Sequence, residues 1–291
     1  MPVVRPPLFL SEENGHVRCD LCPNKCAIES GGFGICKVRG NKSGKGIIPY
    51  YGYISALALD PIRKKPLYHF KQGTQILSLG FAGCNLKCPF CQNWRISQSA
   101  DIPGKFMQPQ EIISAALKHG SPSIAYTYSE PLVHIEFLLD CMALARKHGI
   151  ANVLVTNGCI NEQPAAEILK LTDAANIDLK CFSADTYGKT LGGGVCSADI
   201  LQTVLDFIKN CYKAGVHLEI TTLVVPGLND NKDELNAIAA FIAGLDRDIP
   251  WHLTAYHCDY RWNAPDTDAE FLRGVAKEAE GALRYVYVGN V

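Results

Sequence analysis

The chain has 291 residues, of which 47% are hydrophobic and 20% charged, with a net charge of -1. That is the profile of an ordinary soluble globular protein, one large domain with an appendage or two small ones, and its near-neutral balance gives bulk nucleic-acid binding no electrostatic support. The N-terminus, MPVVRPPLFL, lacks the charged region and long apolar core of a signal peptide, and no stretch reaches the ~18 apolar residues of a membrane helix, so a cytoplasmic protein without membrane contact is expected.

Residues 1–46 stand apart, with a Pro-rich start, four cysteines, the Gly-rich runs GGFG and GNKSGKG, and little periodicity. Cys19, Cys22, Cys26 and Cys36 follow C-x2-C-x3-C-x9-C, and Gly31, Gly32 and Gly34 let the loop fold back to deliver the fourth thiol. Four thiolates close a tetrahedral zinc site or hold an auxiliary iron-sulfur cluster; the sequence leaves both open. A segment this poor in apolar residues needs such a staple. Residues 47–74 read as a connection, and the basic pair Lys64-Lys65 within it as a solvated turn.

From residue 75 the pattern changes to alternating apolar strands and amphipathic helices. ILSLGF (76–81) reads as a buried strand, and a cysteine loop follows it. Next come a helix over 108–120 closing at Gly120, a strand over 123–128, a helix over 131–149 opened by Pro131, and a strand over 151–157. The alternation continues with a helix (164–172), a strand (174–181), a helix (197–215), a strand (217–225), a helix (233–245) and a strand (251–256). A last helix (268–280) and strand (285–290) close the chain. Strict alternation implies right-handed βαβ units and a parallel sheet. Periodicity alone leaves an open doubly wound sheet and a partial barrel both standing.

The loop after the first strand, FAGCNLKCPFCQNW, holds Cys84, Cys88 and Cys91 at C-x3-C-x2-C, with Phe90 before the third cysteine and Gln92 and Asn93 after it. Three thiolates hold a metal centre and leave one position open, and an open position means chemistry because structural sites close all four. No fourth ligand follows at zinc-like spacing before Cys141. Seven of the thirteen cysteines fall in these two clusters. The other six, Cys141, Cys159, Cys181, Cys196, Cys211 and Cys258, read mostly as small buried hydrophobes.

In parallel α/β sheets ligand-binding groups gather at the carboxyl ends of the strands. Those ends carry Ser129-Glu130, Thr156-Asn157, Asp178-Leu179-Lys180 and Tyr256-His257. Each alone has a structural reading: Glu130 as a helix N-cap ahead of Pro131, Asp178 and Lys180 as an ion pair on one strand face, His252 and His257 as core or surface histidines.

The cysteine loop resembles the signature of radical S-adenosylmethionine (SAM) enzymes. VLVTNG, NIDLKCFSADTYGKTLGG and LVVPGLNDN are similar to the matching stretches of glycyl-radical activases such as pyruvate formate-lyase activating enzyme. YYGYISALALDPIRKKPLYHF, GCNLKCPFCQNWRISQ and IAYTYSEP, with the N-terminal cysteines, resemble the radical SAM member of the AmmeMemoRadiSam group from about Cys19 to Asn290. The resemblance implies a partial (β/α)6 TIM-like barrel over 75–260, with a Cys-rich metal-binding segment at 1–46, a connection at 47–74 and a C-terminal helix and strand at 261–291. It implies a [4Fe-4S] cluster on Cys84, Cys88 and Cys91, with SAM on the fourth iron. It places Ser129, Glu130, Asn157, Asp178, Lys180 and His257 around SAM.

The implied function is reductive SAM cleavage to a 5′-deoxyadenosyl radical that takes hydrogen from a protein or small-molecule substrate, with an electron donor such as flavodoxin or ferredoxin. A glycyl-radical activase proper is one alternative; a zinc-ribbon scaffold or nucleic-acid-binding module is another. The activases carry an Arg in the fifth strand where this chain has Thr221 and Thr222. Members of the group commonly run on into a further cysteine-bearing tail; this sequence stops at Val291, so the tail is either lacking or has been removed.

Overall fold

The computed structural model describes residues 5–99, 104–194 and 199–291. Cys196 and the first two residues of the predicted 197–215 helix lie outside them. Strands Gln75–Gly80, Ser123–Thr127, Ala151–Thr156, Ala174–Asp178, His217–Val224 and Trp251–Ala255 pair in chain order, all parallel. They form the partial (β/α)6 barrel of the α/β class. Ser123–Thr127 is buried at every residue, as expected of a strand covered on both faces.

The sheet has eight strands because it grows at both edges. Val286–Gly289 adds a parallel strand beside Trp251–Ala255. Ala56–Pro61 pairs antiparallel with Gln75–Gly80, so 47–74 supplies a strand as well as a connection. Its alternation explains why it fits an edge: Leu57 and Leu59 face outward at 46% and 41% exposure, while Asp60 is buried inside.

The helices form where caps and apolar faces coincide. Pro109–Lys118 opens with a reciprocal cap between Gln108 and Glu111, and Gly120, at φ +61°, turns the chain out of it. The predicted helix over 131–149 divides into a 3-10 turn, Pro131–His134, and the helix Ile135–Lys147. Glu130 caps the turn through the Leu132 amide at 3.0 Å.

Residues 62–70 fill the barrel from the N-terminal ends of its strands. Ile62 and Leu67 pack on Ile76, Ala125, Val153 and Ala174. The amides of Tyr68 and His69 donate to Glu219 at 3.0 and 2.8 Å, and His217 and His252 bond the same carboxylate at 3.0 and 2.6 Å. Burial pushes Glu219 upward, yet these four contacts outweigh it and hold it at about 2. His252 is therefore a core histidine. Lys65 is also buried, at 3% side-chain exposure, and pairs with Asp60 at 2.8 Å; only Lys64 behaves as a solvated residue.

Candidate active site

A cavity of about 310 Å³ opens at the carboxyl ends of the strands. Cys84, Cys88 and Cys91 line it, together with Ser129, Glu130, Asn157, Asp178 and Lys180. Eight of the nine residues expected at the cluster and SAM thus face one space. The ninth, His257, lies outside that lining: its side chain is 48% exposed, with Nδ1 2.9 Å from Asp266 and Nε2 2.8 Å from the Asn290 carbonyl.

The sulfurs are set in polar surroundings. The Leu86 amide and the Asn157 side chain donate to Cys84 Sγ at 3.4 and 3.6 Å, and Ser97 Oγ lies 3.2 Å from Cys91 Sγ. Hydrogen-bond donors around thiolate sulfur are what an iron-sulfur ligand set uses to tune its cluster. Burial, with the Glu130 charge next, pushes the Cys84 thiol well up, and burial raises Cys88 to about 11. Ligation of metal therefore releases protons here.

Glu130 is held on three sides. Its carboxylate accepts from Thr156 Oγ1 at 2.6 Å, the Asn157 amide at 2.8 Å and the Leu132 amide. Burial lifts it to about 7 despite those bonds. It caps the 3-10 turn and lines the cavity at once. Asn157 bridges outward, donating to Asn85 Oδ1 at 3.0 Å, and the Ser129 hydroxyl donates to the Phe81 carbonyl at 2.7 Å.

Lys180 reaches Asp178 at 2.8 Å. Burial would lower its ammonium, but Asp178 and the Cys88 sulfur together hold it above its usual value. An anion and a cation side by side suit a zwitterionic amino acid.

The cavity includes residues outside the expected set. Thr127, Thr221 and Thr254 point inward, as does Tyr128, whose φ of +70° aims its ring into the barrel. The Tyr128 hydroxyl donates to Asp60 at 2.6 Å and its ring lies 4.2 Å from the Lys65 ammonium. Period-two counting from Glu219 reaches Thr221 on its own strand; Thr127 and Thr254 follow only once the strand register is known.

The four N-terminal cysteines also gather. Burial pushes the Cys22 thiol up, and Cys19, Cys36 and Cys26 add to the shift. Among the described residues, however, no group of three His, Cys, Asp or Glu side chains could hold a metal ion. A four-iron cluster takes each thiolate on a different iron, so Cys84, Cys88 and Cys91 need not converge on one point.

The two cysteine segments are in direct contact. Lys87 Nζ donates to the Ile35 carbonyl and Lys37 Nζ to the Gln98 carbonyl, both at 2.9 Å. Gly83, at φ +84°, sits so close that a Cβ would stand 2.4 Å from the Cys36 oxygen. Gly83→Ala combines a left-handed φ with an unrelieved clash and is expected to cost about 3 kcal/mol or more. A thermal melt measures it; an unchanged midpoint would show that the two segments separate freely.

The chain belongs to the radical SAM superfamily, whose family model matches residues 79–242. It is an enzyme family, and that sets aside the scaffold reading. An uncharacterized protein of Methanocaldococcus jannaschii is 42% identical over 284 residues, covering 96% of this chain and 83% of that protein. Pyruvate formate-lyase-activating enzyme of Clostridium pasteurianum is 28% identical, over 61% of this chain and 73% of its own length. Streptococcus suis SuiB, solved with S-adenosylmethionine bound, superposes at a TM-score of 0.57 with 14% identity, over 74% of this chain and 51% of that one. A radical SAM methyltransferase from Sphaerobacter thermophilus does so at 0.56 with 13% identity, over 76% and 67%. At such identities the structures show the fold. Among the described residues no helix is long and apolar enough to cross a membrane.

Proposed function

We propose that this enzyme holds a [4Fe-4S] cluster on Cys84, Cys88 and Cys91 and binds SAM in the adjoining cavity. The observation that carries the reading is the convergence of three thiols, a buried carboxylate and an Asp-Lys pair on one space of about 310 Å³. When bound, the cluster and SAM supply one-electron cleavage of SAM to methionine and a 5′-deoxyadenosyl radical, which takes hydrogen from the substrate. The chain's own residues bind and orient. Glu130 and Asp178 offer carboxylates to the SAM ammonium, Lys180 offers a cation to its carboxylate, and Asn157 and Ser129 line the wall between them. His257, turned toward Asp266, has no part in this cradle. The barrel plug at 62–70 keeps water out from below.

The substrate is a protein or a small molecule presented at the barrel mouth. The likeness to pyruvate formate-lyase-activating enzyme favours a second reading, a glycyl-radical activase, in which a backbone glycine of a partner enters the same cavity. The N-terminal cysteines serve as a second metal centre, zinc or an auxiliary iron-sulfur cluster. A reducing cytoplasm suits both sets of thiols, and flavodoxin or ferredoxin supplies the electron.

The test is anaerobic reconstitution, reduction with dithionite, and assay for 5′-deoxyadenosine with deuterated candidate substrates. SAM cleavage with deuterium carried into 5′-deoxyadenosine is the expected result. No 5′-deoxyadenosine from fully iron-loaded, reduced protein would overturn the reading.

A further inference from the structure

A helical turn, Trp94–Ser97, leaves the cysteine loop directly after Cys91, and the Trp94 amide donates to the Cys91 carbonyl at 3.1 Å. Its outer side lies apart from the cavity lining. There Trp94 stacks on Tyr260 with ring centroids 5.2 Å apart and planes 14° from parallel. The Arg95 guanidinium lies 5.4 Å from the Trp94 ring centre, and that of Arg261 lies 4.9 Å from Tyr260. The Arg261 amide donates to the Pro89 carbonyl at 2.8 Å. This ties the platform to the stretch between Cys88 and Cys91.

Both arginines are exposed. Among the described residues the arginine ion pairs belong to Arg5, Arg18, Arg39, Arg146 and Arg284, so neither Arg95 nor Arg261 meets a carboxylate. The neighbouring Asp259 accepts from the Tyr260 amide at 2.6 Å and, among the described residues, forms an ion pair with neither guanidinium.

We infer that Trp94, Tyr260, Arg95 and Arg261 form the docking face for an acidic one-electron carrier protein, a flavodoxin in its hydroquinone state. The inference rests on the cluster reading above. Stacked aromatics flanked by arginines are the composition of protein-docking centres, and free guanidinium forks match carboxylates on a partner. Complementary charge steers such an encounter and raises its on-rate. Two cations on a chain of net charge -1 are too few to track a nucleic-acid backbone. The platform begins three residues after Cys91, so a carrier seated on it lies beside the cluster loop. One electron leaves the anionic flavin hydroquinone, which becomes the neutral semiquinone, and enters the cluster. No proton moves and no bond breaks.

The test compares wild type with the Arg95→Glu/Arg261→Glu double variant, both reconstituted anaerobically. Iron content and dithionite-driven SAM cleavage are expected to match, because dithionite needs no docking face. Bleaching of the cluster absorbance by flavodoxin hydroquinone is expected to slow about tenfold or more in the double variant. A titration with oxidised flavodoxin should show weaker binding, and the salt dependence seen with wild type should be lost. The neutral Arg95→Gln/Arg261→Gln variant should fall between. Equal bleaching rates and equal flavodoxin affinities in all three forms would overturn the inference. Failure of wild type to cleave SAM with dithionite would sink the cluster reading instead, and the flavodoxin titration would still decide the docking face.

Discussion

Cys88→Ala protein, reconstituted with iron and sulfide and reduced with dithionite, is expected to cleave SAM at the background rate only. Cys88 is the middle of three thiols on one loop, it is 7% exposed, and Lys180 is among the charges that act on it. Removing it leaves two cysteine ligands for a cluster that needs three from the protein. Among the described residues no other cysteine lines the cavity. The fold should survive, since alanine is small and the loop is also held by the Asn24 side chain on the Asn85 carbonyl at 2.9 Å. The measurement is 5′-deoxyadenosine per iron-loaded protein, beside total iron and zinc. Cleavage that persists at wild-type level with iron verified as low would overturn the cluster assignment. The same sample tests the second centre. Iron that remains in Cys88→Ala and disappears on further replacement of Cys22 by Ser places an auxiliary cluster on the N-terminal cysteines; zinc in its place would favour a staple.

Much of this arrangement is legible in the chain because it depends on local pattern. The strand-helix alternation survives in the structure to within a few residues, since each parallel strand is an apolar run bounded by polar turns. The cysteine loop is legible because three ligands within eight residues are a local signal. What the sequence hides is set by distant contacts. Ala56–Pro61 becomes a strand only because Gln75–Gly80 offers it an edge. Lys65 looks like a surface residue until Asp60 and Tyr128 close around it inside the barrel. His257 follows a strand end as a ligand should, yet Asp266 and the Asn290 carbonyl draw it to the surface. The packing of the N-terminal cysteine segment on the cluster loop, through Gly83 and Cys36, joins residues 47 apart and leaves no local trace.

Arg39→Met is expected to loosen that segment and to cost about 3–5 kcal/mol, the usual penalty for stranding one member of a buried ion pair. Arg39 and Glu136 are 1% and 2% exposed and meet at 2.8 Å. The other guanidinium nitrogen donates to the Leu8 carbonyl, and the Leu8 amide donates back to Glu136 at 2.7 Å. Two donors thus close on the Glu136 carboxylate, and methionine makes neither the bond to it nor the bond to the Leu8 carbonyl. One turn further along the same helix, Asp140 holds Arg5 and Tyr51, each at 2.6 Å, so a single helix face grips the segment twice. The second grip is more exposed, at 37% and 26%, and Asp140→Asn should cost less because solvent screens the ion pair. Thermal melts and limited proteolysis of residues 5–46 make the comparison. The double variant Arg39→Met/Glu136→Leu should recover most of the loss by removing the stranded charge as well. If Arg39→Met melts within about 1 kcal/mol of wild type, the buried pair does not dock the segment. If it melts early while the cluster loop keeps its iron, the contact at Gly83 suffices to hold the two cysteine loops together. Loss of stability and of cluster iron in parallel is the expected outcome, because Lys87, Lys37 and Gly83 reach the segment from the loop that carries Cys84, Cys88 and Cys91.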